Sequence, residues 1–212
     1  MTTSARRARA QRPVRKAKQA RARATVDAIL EASARILIDA GWDGLSTNRV
    51  AELAGVSIGS LYEYFRDRHA LIEALHERHL ARGEALLAEA SARAAPRDAV
   101  ALVAMIVDGF VAIHQDNPRL HRVLSSGVAV SPAVRARIAA LSEAVVDLVA
   151  SALDGRAQEP RLAARLIVDT ADALTHRWIV EPDGAPLSPE RMATELTLML
   201  KSYITGRMGS AT

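Results

Sequence analysis

The sequence predicts an all-α protein of about nine helices, and three observations carry that. Half of the residues are of hydrophobic type, but alanine dominates that half, and alanine is the best helix former. Strand-favouring residues are sparse; the aromatics are only Trp42, Tyr62, Tyr64, Phe65, Phe110, Trp178 and Tyr203. Apolar residues recur at i, i+3, i+4 and i+7 instead of alternating. At 212 residues, the chain can bury about 70% of its unfolded surface, enough for a core.

The elements follow in order. Residues 1–21 form a basic arm expected to be disordered, with Pro13 breaking any helix inside it. Val26, Ile29, Leu30, Ser33, Leu37 and Ala40 then recur at helical spacing, and Gly41 is a plausible C-cap. A short block from Leu45 to Phe65 holds Gly55 and Gly59. Asp67 can cap a longer helix carrying Leu71, Leu75 and Leu80. Pro96 marks a break, after which Leu102, Met105, Ile106, Gly109, Phe110 and Ile113 form one stripe. Asn117-Pro118 ends that helix and can open a short one to Leu124. A loop from Ser125 to Ser131 leads to Pro132, which suits the first turn of a helix to about Leu153. Asp154-Gly155 reads as a turn. Two last helices span about 160–179 and 189–203, joined by the turn-rich loop Glu181-Pro-Asp-Gly-Ala-Pro. The C-terminal residues 206–212 are expected to be disordered.

Composition limits the function classes. There is no Cys, so disulfides and thiolate metal sites are excluded. The longest apolar run, Ala99 to Val107, is short of the roughly 20 residues a bilayer span needs, and no signal-peptide core follows the N-terminus. A cytoplasmic protein with no membrane partner is expected. Of the 28 Lys and Arg, nine lie in residues 1–26, which hold no acid; the other 19 face 24 acids. A basic arm on a mildly acidic body suits a polyanion partner, although a solvated tail has the same composition.

The block VAELAGVSIGSLYEYF, residues 50 to 65, carries the sharpest signal. Ser46 or Thr47 can cap a helix to Ala54. Gly55 can supply the left-handed turn. Val56 can plug the angle between two helices, and Ser57 can cap a second helix, Ile58 to Phe65. Val50, Val56, Leu61 and Phe65 face inward, and Ala51 is small enough for a close crossing. This is the pattern of a helix-turn-helix, whose second helix enters the DNA major groove. Leu61 and Phe65 share the core face, which turns Tyr62 and Tyr64 to the two flanks. Their hydroxyls can reach phosphates, which position a helix without reading sequence. Gly59 and Ser60 let the backbone come close to base edges.

The run LSTNRVAELAGVSIGSLYEYFRDRHALIEAL resembles the DNA-binding region of the TetR family of bacterial transcriptional regulators. The likeness rests on Thr47, Ala51, AGVS at 54–57, LYEYF at 61–65, and a basic residue at 68 followed by Leu71. It covers about residues 22–80. The resemblance implies a helix-turn-helix domain over 22–68 and a helical ligand-binding and dimerisation domain over 69–205. It implies a homodimer on a palindromic double-stranded DNA operator, most often a repressor released by a small-molecule effector. By motif position, Thr47, Tyr62, Tyr64 and Arg68 correspond to phosphate contacts. Asn48, Ile58, Gly59 and Ser60 approach bases, with Ser57 at the start of the reading helix. The amide of Asn48 suits adenine, and Ile58 a thymine methyl. Glu63 either accepts from cytosine or faces solvent. The arm can reach further phosphates or the adjacent minor groove. The alternative is a helical DNA-binding or interaction protein without a ligand switch.

For the body, the resemblance places the dimer interface on the last two helices, with Leu166, Thr170 and Leu174 on one and Leu196, Met199 and Tyr203 on the other. Ordinary intrachain core has the same spacing. Met105, Phe110, His114 and Trp178 are candidates for an effector pocket, or plain core.

Other chemistry has little support. His76-Glu77-Arg78-His79 lacks the spacing of a zinc hydrolase. His69, His76 and His79 can lie near one face, where a metal role is the alternative to the favoured reading as solvated helix surface, and Asp169, Asp172 and His176 read as a polar network or a charged face. No catalytic motif, cofactor or metal site is expected.

Overall fold

The computed structural model describes residues 3–93, 98–125, 130–180 and 188–209. Among these are nine α-helices and no strand: α1 (Thr3–Gly44), α2 (Thr47–Ala54), α3 (Ile58–Tyr62), α4 (Arg68–Arg93), α5 (Ala99–Asp116), α6 (Pro118–Ser125), α7 (Pro132–Leu153), α8 (Pro160–Thr175) and α9 (Pro189–Gly209). A π-helical turn, His176–Val180, continues α8. The break at Pro96, the middle of the loop before Ser131, the Glu181–Pro186 loop and the last three residues lie outside the described residues.

Two compact units divide the chain at Leu75 and His76. The first contains α1 to α3 and the first turns of α4. Its core includes Ile29, Leu37, Leu45, Val50, Leu61 and Leu71, each at most 1% exposed. Ser33 is buried with them, its hydroxyl donating to the Ile29 carbonyl at 2.8 Å. The boundary falls later than the expected 68, because Leu71, Ile72 and Leu75 are buried at the start of α4.

Two expectations at the ends are corrected. The backbone of residues 3–21 is helical and continuous with α1, through Pro13. Ala, Arg, Lys and Gln fill this stretch, and all are strong helix formers. At the other end α9 continues to Gly209, so 206–209 are not irregular. Gly41 (φ 63°, ψ −166°) interrupts the helical path of α1 where a cap was expected, and one short turn follows it.

The second unit packs α5 against α7, α8 and α9, and α7 against α8. Its core runs through Leu102, Val107, Val146, Leu153, Ile167 and Leu200. Helix α5 is apolar and long enough to resemble a membrane span by composition. Here Leu102, Val103, Val107 and Val111 are buried against its neighbours, as in a central core helix. Gly109 of α5 marks a close approach: a Cβ there would sit 2.3 Å from Leu86 Cδ1 of α4. Arg161 and Arg165 of α8 pair with Glu143 of α7, at 2.7 Å for Arg161.

Candidate functional site

In the first unit α2, its turn and α3 are defined residue by residue. Ser46 is extended (φ −135°) and its hydroxyl accepts from Arg49 N at 3.3 Å. At the far end Gly55 is left-handed (φ 67°, ψ 31°). Gly55 N donates to Glu52 O at 3.2 Å and Val56 N to Ala51 O at 3.0 Å. That pair of bonds is a Schellman ending, which satisfies the last carbonyls of a helix. Val56 is half-buried in the angle that follows. Ser57 starts α3: its Oγ accepts from Ser60 N at 3.0 Å and donates to Ser60 Oγ at 2.9 Å.

Helix α3 ends at Tyr62, three residues short of the expected Phe65. Leu61 O accepts from both Tyr64 N (3.0 Å) and Phe65 N (2.9 Å), which closes the helix in a tight turn. Phe65 still reaches the core at 7% exposure, while Tyr62 is 52% and Tyr64 40% exposed. Glu63, at the end of α3, is exposed.

The Tyr62 hydroxyl lies 3.1 Å from Thr47 Oγ1, so the end of α3 is tied to the start of α2. Asn48, Ser57, Ile58 and Gly59 are exposed, and Thr47 and Ser60 are half-buried. The Arg68 guanidinium lies 4.2 Å from the centre of the Trp42 ring, a cation–π contact. Asp67 Oδ1 accepts from Ala70 N at 2.9 Å and caps α4. That bond holds its carboxyl below the ordinary carboxylate range, with Arg66 adding to the effect.

The second unit encloses a cavity of about 440 Å³. Leu80 and Leu86 of α4, Val107 and Phe110 of α5, Val145 of α7 and Ile167 of α8 supply apolar wall. Histidines supply polar wall. His121 Nε2 is 3.1 Å from His79 Nδ1, and His114 Nδ1 is 2.8 Å from Phe110 O. The His114 and His121 rings lie 4.1 Å apart. His176 is 3.8 Å from Asp172, and both border the cavity. Burial pushes His79 and His114 down to about 4 and His121 down to about 2. All three are neutral at pH 7. Burial also lowers His76 and raises the carboxyl of Asp172, against the pull of His176.

Comparison with known proteins decides the family. Residues 29–75 match the profile of bacterial regulatory proteins of the tetR family. Residues 98–204, half of the chain, match the tetracyclin repressor-like C-terminal domain. The chain belongs to the TetR family. Its fold is shared with solved structures of other members. A Rhodococcus sp. protein assigned to the TetR-family transcriptional regulators is 26% identical, with a TM-score of 0.64 over 85% of this chain and 98% of that one. A TetR-family transcriptional regulator from Streptomyces coelicolor is 25% identical, with a TM-score of 0.58 over 87% and 97%. The fatty acid degradation regulator FadR from Bacillus halodurans shares the fold at 19% identity, with a TM-score of 0.61 over 88% and 96%. No curated protein matches the sequence closely enough to count as a relative. The protein is a DNA-binding transcriptional regulator with a TetR helix-turn-helix head.

Within the TetR body, the candidates from sequence separate. Phe110 and His114 border the cavity. Met105 does not; it is half-buried against the helical core. Trp178 does not either, and it is 39% exposed in the π turn. The wall of α5 is formed by Val103, Ile106, Val107, Phe110 and His114. That stripe follows the helical period but lies about one residue round from the one that picked out Met105. His76 and His79 are not solvated surface but cavity wall, whereas His69 is exposed beside Trp42, with ring centres 4.9 Å apart. Sequence reasoning missed His121 and the gathering of histidines from α4, α5, α6 and the π turn. No local spacing joins positions that distant.

The last two helices present apolar side chains outward. Leu166 and Met199 are exposed at 46% and 45%, together with Leu162 and Leu198. Thr170, Leu174 and Tyr203 are half-buried. Leu196 is corrected: at 3% exposure it belongs to the core of its own chain. On α9 the inward positions are Met192, Leu196, Leu200 and Ile204, four apart.

Proposed function

We propose that the protein is a homodimeric repressor that holds a palindromic operator and releases it when a small molecule enters the cavity of the second unit. The observation that carries the switch is that cavity. Its volume is within the range of small-molecule sites, and it combines apolar wall with a few grouped polar side chains. For the operator, the exposed Asn48, Ile58 and Gly59 would meet base edges. Thr47, Tyr62, Tyr64 and Arg68 would meet phosphates, with Ser57 and Ser60 setting the start of the reading helix. For the dimer, Leu166, Met199, Leu162 and Leu198 would be covered by the same helices of a second copy, joined by Thr170, Leu174 and Tyr203. Two heads related by a twofold axis read two half-sites. Effector in the body would favour a head spacing that no longer fits the operator, and DNA would weaken effector binding by the same factor.

The test is fluorescence anisotropy of the purified protein on its own upstream DNA at two salt concentrations. Saturable, sequence-specific binding that a small molecule reverses is the expected result. Specific binding that no compound reverses would favour a DNA-binding protein without a switch. Binding indifferent to DNA sequence would overturn the reading.

A further inference from the structure

We infer that His79, His114 and His121 form a binding site for one divalent transition-metal ion of the zinc class at the histidine-lined wall of the cavity. One nitrogen from each of the three rings lies within 4.8 Å of the other two. Three nitrogens around an ion at 2.0–2.1 Å are about 3.3 Å apart in tetrahedral geometry. His79 Nδ1 and His121 Nε2, at 3.1 Å, are already close to that edge. The two edges to His114, each within 4.8 Å, would close to that length on binding.

The surroundings fit a metal ligand set. His114 has its Nδ1 on the Phe110 carbonyl, which leaves Nε2 as the free lone pair. Such an outer contact is the usual means of orienting a metal-binding imidazole. His121 Nδ1 and His76 Nε2 are buried with no hydrogen-bond partner among the described residues. Among the described residues, His79 and His121 are hydrogen-bonded to each other at 3.1 Å. Burial keeps all three neutral, the form in which imidazole binds metal. The donors also define the class of ion. Neutral imidazoles suit Zn²⁺, Co²⁺, Ni²⁺ and Cu²⁺, whereas Ca²⁺ and Mg²⁺ demand oxygen ligands.

The three histidines border the cavity, so a fourth coordination position opens into it. Asp172 and His176 border the same cavity, and the His114 and His176 rings are 5.2 Å apart. Binding of the ion needs only these side chains. That the ion also changes DNA affinity rests on the proposed effector role of the cavity.

The experiment uses tag-free, full-length protein stripped with EDTA and dialysed. Co²⁺ is titrated while the visible spectrum is recorded, and Zn²⁺ is titrated by calorimetry. Expected are the intense visible bands of four-coordinate Co²⁺, one ion per chain, and their displacement by Zn²⁺. His114→Gln and His121→Gln should each weaken binding at least about 100-fold, since loss of even an outer contact costs 10–100-fold. His69→Gln, outside the cluster, should bind as the wild type does. Absence of Co²⁺ bands and of Zn²⁺ heat in the wild type overturns the site, whatever the variants do. So does binding that survives both substitutions. Operator anisotropy with and without Zn²⁺ separates the two readings. Metal binding with unchanged DNA affinity keeps the site and removes the ion as effector. Release by an organic compound in protein that binds no metal does the reverse.

Discussion

Thr47 and Tyr62, fifteen residues apart, share a hydrogen bond of 3.1 Å between their hydroxyls. The bond links the first residue of α2 to the last of α3. Both are proposed phosphate contacts, so each hydroxyl also holds the other in place before DNA arrives. An exposed hydrogen bond contributes about 0.5–1.5 kcal/mol, and pre-ordering reduces the cost of binding.

Tyr62→Phe and Thr47→Ala should therefore each weaken operator binding by about 3–10-fold, the range that one such bond spans. The double variant should lose less than the product of the two, because each single change already breaks the shared bond. Anisotropy on operator DNA measures all four proteins. Strict additivity would show that the two hydroxyls act independently.

Gly55→Ala tests the turn. A Cβ at this position meets nothing within 4 Å, so crowding is not the issue. The strain is that of the left-handed backbone, about 1–2 kcal/mol for a residue with a Cβ. Thermal unfolding should shift down by several degrees. An unchanged Tm would mean that the turn relaxes to another conformation at no cost.

The head was legible because its signals are local. Gly55 and Ser57 are capping residues where the sequence places them, and of the two N-cap candidates, Ser46 and Thr47, the cap is Ser46. The end of α3 was not, since Tyr62 and Phe65 differ only in how Leu61 O shares its bonds. The cavity was half legible. Periodicity locates a buried face to within about a residue, which admits Phe110 and His114 but also Met105. Leu196 and Met199, three residues apart on α9, have similar side chains and opposite exposure, and composition cannot rank them. The histidine cluster was illegible because His79, His114 and His121 are joined only by tertiary packing. In the basic arm, charge suggests an irregular chain, whereas the helix propensity of its Ala, Arg, Lys and Gln residues prevails.

The exposed face of α8 and α9 gives the dimer prediction. Leu166→Glu or Met199→Glu would place a carboxylate where the proposed partner copy packs, and burying an unpaired charge is costly. Sedimentation should show the dimer dissociation constant raised by at least about 10-fold, with operator affinity falling in step. Far-UV circular dichroism should stay unchanged, because both side chains are exposed in the single chain. A variant that remains dimeric at the same concentration would move the interface elsewhere.

The buried histidines give a pH dependence whose sign follows from their depressed pKa values. In the unfolded chain each titrates near 6.5. In the folded metal-free protein His79 and His114 titrate near 4 and His121 near 2. Below about pH 6.5 the unfolded state therefore binds more protons than the folded one, and stability falls as the pH falls. One unit below the unfolded value, each histidine costs about 1.4 kcal/mol. Three together amount to roughly 3–4 kcal/mol between pH 7.5 and 5.5, a large share of a typical domain's stability. Denaturant unfolding of the EDTA-treated protein at these two pH values measures the difference. His121→Leu should remove about one third of the dependence, because each of the three contributes equally while the pH stays above their folded-state values. Equal stability at both pH values would mean that the rings are solvated and not enclosed in the cavity wall.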